Sequence, residues 1–185
     1  MSTIRLGPLT QVGLMAIAMT AFLVTMLVRH EHARTNSPEI VMTVEGYDPR
    51  DLLLGHYARI TTPLRSLDPR QLDGDDAFEI GAPIYVTLTI DENGLARPAA
   101  LHNTHPGIGL VAAGRIRSAH EVIQAQFNIE RYYAGRSEAL ALEDRLQGEE
   151  ADEAPVRIIL ALPASGHLLI KGFEIDGERR IDRVW

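Results

Sequence analysis

The segment from Gly46 to Tyr57 collects carboxylate, guanidinium, imidazole and phenol side chains within twelve residues. Groups of this kind can move protons or recognise polar ligands. The stretch Asp48-Pro49-Arg50-Asp51 also has the composition of a structural turn, because Pro presets φ at the second turn position and Asp accepts a bond from a nearby backbone N–H. A turn is the preferred interpretation, and a recognition or catalytic loop is the alternative.

Other candidate groups do not assemble into a reaction centre. His102 and His105 put two imidazoles in one loop, but a zinc site takes three or four ligands. The chain has no Gly-x-Ser-x-Gly elbow and no cysteine, and we expect Lys171, its only lysine, to lie mid-strand and face solvent. The adjacent acids fall in Gly- or Pro-flanked loops where solvated charge is the default: Asp75-Asp76, Glu149-Glu150 and Asp152-Glu153. We therefore expect no catalytic residue, no bound metal and no cofactor.

The overall composition suits one globular domain with a short appendage. The chain has 185 residues, 45% of them hydrophobic, and a net charge of −7. Its 18 basic residues are 17 arginines and one lysine, which is a bias in arginine usage rather than a basic surface. An acidic chain lacks the clustered positive charge that binds phosphate backbones, so we expect no nucleic-acid partner.

The 20 residues from Leu9 to Val28 carry no charge, and a helix of that length covers about 30 Å, the thickness of a bilayer's hydrocarbon core. A cleaved secretory signal would have a shorter apolar core and a small-x-small site beyond it, which Val28 to Ala33 does not offer. A buried helix of a soluble protein is the other alternative. We predict a retained, single-span anchor.

Charges flanking the span do not by themselves decide its orientation. Arg5 and the terminal amine lie on one side, and Arg29 and Arg34, with His30 and His32 nearby, lie on the other, so a bare positive-inside count would leave the large domain in the cytoplasm. We discount that count because the imbalance is about one charge and Glu31 lies in the same flank. Beyond Arg34 the chain has 24 acidic and 15 basic residues, which should hold it away from anionic headgroups.

Period-two patterns dominate after the span. Apolar residues alternate at Ile84 to Ile90, followed by a hairpin turn at Asp91-Glu92-Asn93-Gly94, and again at Ile123 to Ile129. A strand at Ile158 to Leu162, a turn at Ala164-Ser165-Gly166, and strands at 167–176 and 179–185 joined at Asp176-Gly177 predict a C-terminal meander. We also expect a strand at His56 to Thr62.

One further helix is predicted, from the N-cap Ser137 to Gly148, followed by an acidic loop at 149–153. The predicted fold is therefore mainly β (α+β), with an N-terminal transmembrane helix and one antiparallel β domain that carries one packed helix. We divide the chain into a tail (1–8), the anchor (9–28), a juxtamembrane linker (29–39) and the β-rich domain (40–185).

Two patches of the sequence are similar to one bacterial family. The segment from Pro49 to Ile60 resembles the motif of the GDYXXLXY family and the Pro-Arg-Asp-Leu stretch before it: Gly55 and Tyr57 match, and Ile60 replaces a leucine conservatively. His56 stands where the family has aspartate, and Thr62 where it has the last tyrosine. The second patch, with Glu130, Arg131 and Tyr132, is similar to the family's "IERYF" segment.

The resemblance implies a membrane-anchored protein with an extracytoplasmic domain, which works beside a polytopic membrane protein and has no assigned reaction. We accordingly expect a single-pass protein of the inner membrane with a periplasmic C-terminal domain. One hypothesis makes it a non-catalytic accessory module whose contact surface consists of the motif residues Pro49, Arg50, Asp51, Gly55, His56, Tyr57, Ile60, Glu130, Arg131 and Tyr132. The alternative is an envelope hydrolase or ligand-binding domain that uses Asp51, His56 and Glu130, although the loss of the family's aspartate argues against catalysis.

Overall fold

The computed structural model describes residues 7–44, 57–133, 156–175 and 177–182. These residues form one long helix followed by strands. The helix is α1 (Pro8–Asn36). The strands are β1 (Glu39–Thr43), β2 (Tyr57–Arg59), β3 (Ser66–Leu67), β4 (Asp73–Gly74), β5 (Pro83–Ile90), β6 (Ala96–His102), β7 (Leu110–Ala119), β8 (Ile123–Gln126), β9 (Arg131–Tyr133), β10 (Arg157–Ala161), β11 (Leu169–Ile175) and β12 (Glu178–Ile181).

α1 contains 29 residues and would measure about 43 Å at 1.5 Å per residue. Its apolar side chains are exposed, and it is the one described helix long and apolar enough to cross a membrane. Thr20 and Thr25 donate their hydroxyls to the carbonyls of Ala16 and Ala21, at 2.9 and 2.7 Å, so these polar groups are satisfied inside the helix.

The helix continues through most of the segment predicted as a linker. It ends at Asn36 because Pro38 pushes Ser37 into an extended conformation, with ψ at 156°. The eight residues that follow the predicted span, 29–36, extend the helix by about 12 Å beyond it. The segment predicted as a linker, 29–39, is thus helical as far as Asn36 and extended from Ser37 to the start of β1.

Two larger sheets and one strand pair make up the described β structure. The four-stranded sheet has the order β1-β10-β11-β12, the six-stranded sheet has the order β3-β8-β7-β5-β6-β4, and β2 pairs with β9. The pairings are antiparallel except that of the two-residue strand β4, which runs parallel to β6. Gly74 in β4 has φ +100° and lies so close to the Leu101 carbonyl that a Cβ would clash with it.

One hydrophobic cluster joins the sheets. The four-stranded sheet contributes buried residues such as Met42 and Ile158, and the six-stranded sheet contributes Ile84 and Ile116. Ile60, next to β2, is also fully buried in it. The prediction of a mainly antiparallel β domain after an N-terminal helix is confirmed.

Several predicted strands are confirmed with changed limits. The β5–β6 hairpin closes at Asp91 to Gly94, but Ile90 at its edge is exposed. β8 ends at Gln126 because Asn128 takes a positive φ of 62°, although Phe127 and Ile129 stay buried. β10 is buried on both faces rather than one. The predicted helix 137–148, the acidic loop 149–153 and Asp176 lie outside the described residues.

Candidate functional site

The structure describes part of the predicted contact surface. Five of its motif residues lie outside the described residues: Pro49, Arg50, Asp51, Gly55 and His56. Tyr57 is described in its backbone, which begins β2, and the remaining four are Ile60, Glu130, Arg131 and Tyr132. The proposed convergence of Asp51, His56 and Glu130 consequently stays a prediction.

The two sequence patches that carried the resemblance lie side by side. β2 and β9 form an antiparallel pair in which Tyr57 lies opposite Tyr133 and Ala58 lies opposite Tyr132. The ladder continues through the Ile60 N–H, which donates to the Glu130 carbonyl at 2.9 Å. Segments about 70 residues apart in the chain are thus one structural unit. Sequence reasoning singled out both segments but did not predict that they pair.

Glu130 stabilises a turn. Its Oε1 accepts a hydrogen bond from the Phe127 N–H at 2.6 Å, across the residue pair that contains the positive φ of Asn128. This bond satisfies a backbone donor where β8 ends, so that the chain can change direction before β9. Ile60 is 1% exposed and packs in the core. The described contacts of Glu130 and Ile60 are therefore those of structural residues, while Arg131 is exposed.

Tyr132 connects β9 to the four-stranded sheet. Its hydroxyl donates to Asp182 Oδ1 at 2.8 Å, and its ring packs edge-on against Phe173, with centroids 4.7 Å apart. A half-buried tyrosine with both its ring and its hydroxyl engaged fixes a neighbouring element in place. Tyr132 thus holds the β2–β9 pair against β11 and the end of β12.

Asp182 is also bonded to the C-terminal part of α1, through the side chain of Arg34. The Arg34 guanidinium donates to three backbone carbonyls, those of Ile170 at 3.0 Å, Lys171 at 3.1 Å and Asp182 at 2.6 Å. Its side chain is 10% exposed and lies 3.6 Å from the Glu31 carboxylate. The fixed fork of a guanidinium suits this task, since several donors in one plane reach several acceptors at once. We call Arg34, Tyr132 and Asp182 the junction cluster.

A second charged group lies on the same sheet. Glu39 on β1 pairs with Lys171 on β11, at 3.1 Å, and with Arg179 on β12. Burial raises the pKa of Glu39, but hydrogen bonds from Arg179 and Lys171 outweigh that effect and hold the pKa below its ordinary value. The expectation that Lys171 faces solvent is wrong: its side chain is 17% exposed, because it lies across the neighbouring strand β10 to pair with the Glu39 carboxylate.

The two histidines proposed as a weak metal site make different contacts. His102 Nε2 lies 3.0 Å from the Thr87 hydroxyl, and His105 Nδ1 accepts the Gly107 N–H at 3.0 Å. The His105 ring also contacts Tyr85 edge-on. Within the described residues, no group of three or more His, Cys, Asp or Glu side chains is placed to hold a metal ion.

The architecture can be compared with known proteins. A family model described as "GDYXXLXY protein" matches residues 19–173, from inside α1 to β11. The chain belongs to this family. None of the curated proteins and none of the solved structures matches it.

The GDYXXLXY match extends beyond the motif for which the family is named. It includes the second half of α1, with Arg34, and the β2–β9 pair, with Tyr132. Sequence reasoning counted Arg34 as a flanking charge of the membrane span and missed its role in the junction cluster. The only signal was the polar segment His30 to Asn36, which has ordinary helix formers and no Gly or Pro before Pro38.

Proposed function

We propose that this GDYXXLXY protein is a non-catalytic accessory module, in which α1 spans the inner membrane and holds the β domain in the periplasm beside an integral membrane partner. The observation that carries the proposal is the continuous helix α1, apolar and exposed over a membrane's thickness and bound by Arg34 to the sheet. Exposed apolar side chains in a row of this length need lipid or another apolar helix around them.

The burial of Arg34 supports the proposed orientation. In the folded protein Arg34 is bonded to β-domain carbonyls and lies close to Glu31, so it is not free to contact headgroups. The basic groups then left beside the span are Arg5 and the terminal amine on one side and Arg29 on the other. That count favours an N-terminus inside and a β domain outside the cytoplasm.

The contact surface for the partner is assigned to the motif segment 49–57, with Arg50 and Tyr57 as anchors, and to Arg131. Arg and Tyr are enriched among the residues that dominate protein interfaces. Glu130 and Tyr132, by contrast, are structural supports of the β2–β9 pair through their bonds to Phe127 and Asp182. The surface residues can therefore be changed without removing those supports.

The partner proposal is tested by photocrosslinking. A photoreactive amino acid at position 57 in full-length protein, irradiated in membranes, should give a crosslink to an integral membrane protein, identified by mass spectrometry. The same group at Glu92, in the exposed turn between β5 and β6, is the control and should give none. Equal labelling from both positions, or co-purification that survives the double change Arg50→Ala and Tyr57→Ala, would contradict the proposed surface.

The topology is tested separately with a reporter joined after Trp185. Alkaline phosphatase at that position should be active and green fluorescent protein dark, because phosphatase needs the periplasm to form its disulfides. The protein should also stay in the membrane pellet after alkaline carbonate extraction. A fluorescent fusion, or a full-length protein released without detergent, would overturn the assignment.

A further inference from the structure

We infer that a cavity on the outer face of the six-stranded sheet binds a phosphate group. The cavity has a volume of about 250 Å³, and its polar lining includes Tyr85, Arg115, Arg117, Gln126, Ser165 and His167. None of its lining residues belongs to β2, to β9 or to the junction cluster. The inference does not depend on a protein partner.

The alternation of β7 places two guanidinium groups on one face. Arg115 and Arg117 flank Ile116, which is 1% exposed and points into the core, so both arginines belong to the opposite, exposed face. Arg115 lies between Pro83 of β5 and Gln126 of β8 in the ladder. The strands on either side therefore form the floor of the cavity.

The turn between β10 and β11 forms one wall. The Ala113 N–H donates to the Gly166 carbonyl at 2.8 Å, and Gly166 has φ +77°. A Cβ at Gly166 would lie 2.9 Å from both the Val111 carbonyl oxygen and the Ala113 Cβ, so only glycine lets the turn come this close to β7. Ser165 and His167, the residues on either side, are thereby held beside the two arginines.

The charge of the cavity is positive and is not balanced locally. Arg115 donates to the Gly81 carbonyl at 2.6 Å, and Arg117 donates to Gln126 Oε1 at 2.7 Å. Both acceptors are neutral, the cavity lining contains no carboxylate, and among the described residues neither arginine has a carboxylate partner. Arg70, Arg97 and Arg157, which do not line the cavity, each pair with an acid, as expected in a chain of net charge −7.

Phosphate is the anion that this arrangement fits. The Cα atoms of alternate residues in one strand are about 7 Å apart, so the two guanidinium groups belong to one small region and repel each other, and a doubly charged anion between them removes that repulsion. The Ser165 hydroxyl and the His167 ring can donate to its further oxygens. The small volume admits a phosphate and a short substituent rather than a nucleotide.

The phosphate could come from a free metabolite or from a lipid headgroup. A lipid source is considered because the residue after β10, three positions before Ser165, is bonded to the segment that follows α1: the Leu162 N–H donates to the Pro38 carbonyl at 2.9 Å. An experiment with two arms distinguishes these sources.

In the first arm, full-length protein in a neutral detergent is titrated with inorganic phosphate at constant ionic strength and followed by calorimetry. The wild type should bind saturably, and the double variant Arg115→Gln and Arg117→Gln should bind at least about tenfold more weakly, since hydrogen bonds to charged groups are lost. The variant Arg70→Gln and Arg180→Gln changes the net charge equally outside the cavity and should bind like the wild type.

In the second arm, the same three proteins are melted in micelles doped with phosphatidylglycerol or with phosphatidylcholine. Stabilisation by the first lipid, lost in the cavity variant only, assigns a lipid headgroup, whereas binding of inorganic phosphate alone assigns a free phosphate ligand. Equal binding by the cavity and control variants would overturn the proposal. So would a wild type that neither binds phosphate saturably nor gains stability from phosphatidylglycerol.

Discussion

Arg34 is the single side chain on which the connection between α1 and the β domain most depends. The three carbonyls that it satisfies lie 136 to 148 residues away in sequence. No local sequence pattern predicts such contacts, so an arginine near a membrane span is interpreted as a residue that contacts lipid headgroups. Glu130 and Tyr132 are similar cases: their positions in the family motif were predictable, but their partners, a backbone N–H and Asp182, follow only from the fold.

We predict that Arg34→Met lowers the free energy of unfolding of the β domain by about 2 to 4 kcal/mol. Methionine keeps the apolar stem but removes the guanidinium donors from the part-buried carbonyls of Ile170 and Asp182, and each group left unsatisfied costs about 1 to 3 kcal/mol. The Lys171 carbonyl keeps the Asp182 N–H as a donor. Thermal and urea unfolding of full-length protein in detergent, followed by circular dichroism, measures the change.

The matched control for that substitution is Arg29→Met. Arg29 is an exposed arginine on the same helix, so the same chemical change there should stay within about 0.5 kcal/mol of the wild type. Equal stability of the two variants would mean that the contacts of Arg34 do not hold the helix to the sheet.

Glu39 should make part of the stability dependent on pH. Its folded-state pKa lies below the ordinary value of 4.5, so it stabilises the fold above that pH and loses the contribution as pH falls through its folded pKa. Glu39→Gln should therefore lower the urea midpoint at pH 7 and narrow the difference between pH 7 and pH 3.5. Glu178→Gln, at a side chain that is 79% exposed, should leave both quantities unchanged. An unaltered pH difference in Glu39→Gln would contradict this role.

The pairing of β11 with β12 is sensitive to substitution at Gly172. A Cβ at Gly172 would lie 1.9 Å from the Arg180 carbonyl oxygen, inside the backbone of the neighbouring strand. Gly172→Ala should separate the two strands, destabilise the domain by at least about 2 kcal/mol and speed hydrogen exchange in β12. Gly13→Ala, where no atom lies within 4 Å, is the control and should be neutral or stabilising. Unchanged exchange in β12 would show that the strands tolerate the methyl group.

Strands with a clean period of two were predictable because each buries one face. β5, its hairpin turn and the strand pattern of Ile123 to Phe127 were recognised in this way. The parallel pairing of β4, two residues long, leaves no periodic trace, and neither does the pairing of β2 with β9. The continuation of α1 beyond the predicted span was not predicted because its last turns are polar, although helicity there needs only the absence of a breaker before Pro38.

The junction cluster predicts a fixed angle between α1 and the β domain. The chain has no cysteine, so Val28→Cys and Glu178→Cys can be spin-labelled without background. Pulsed dipolar spectroscopy in lipid nanodiscs should give one narrow distance distribution, and adding Arg34→Met should broaden it, while adding Arg29→Met should not. A distribution that is already broad with Arg34 in place would contradict a fixed angle.

The helical extension of about 12 Å between the predicted span and β1 sets how far the β domain can reach. A domain on a flexible linker can occupy a whole hemisphere above its anchor, so its effective concentration at any one point is low. A domain on a stiff stalk moves in a thin layer at one elevation above the bilayer. The effective concentration of the domain at that height is then higher, and a membrane partner must present its binding surface at the same height. Lengthening the stalk by one turn would lift and rotate the domain past such a face without altering a single residue of it.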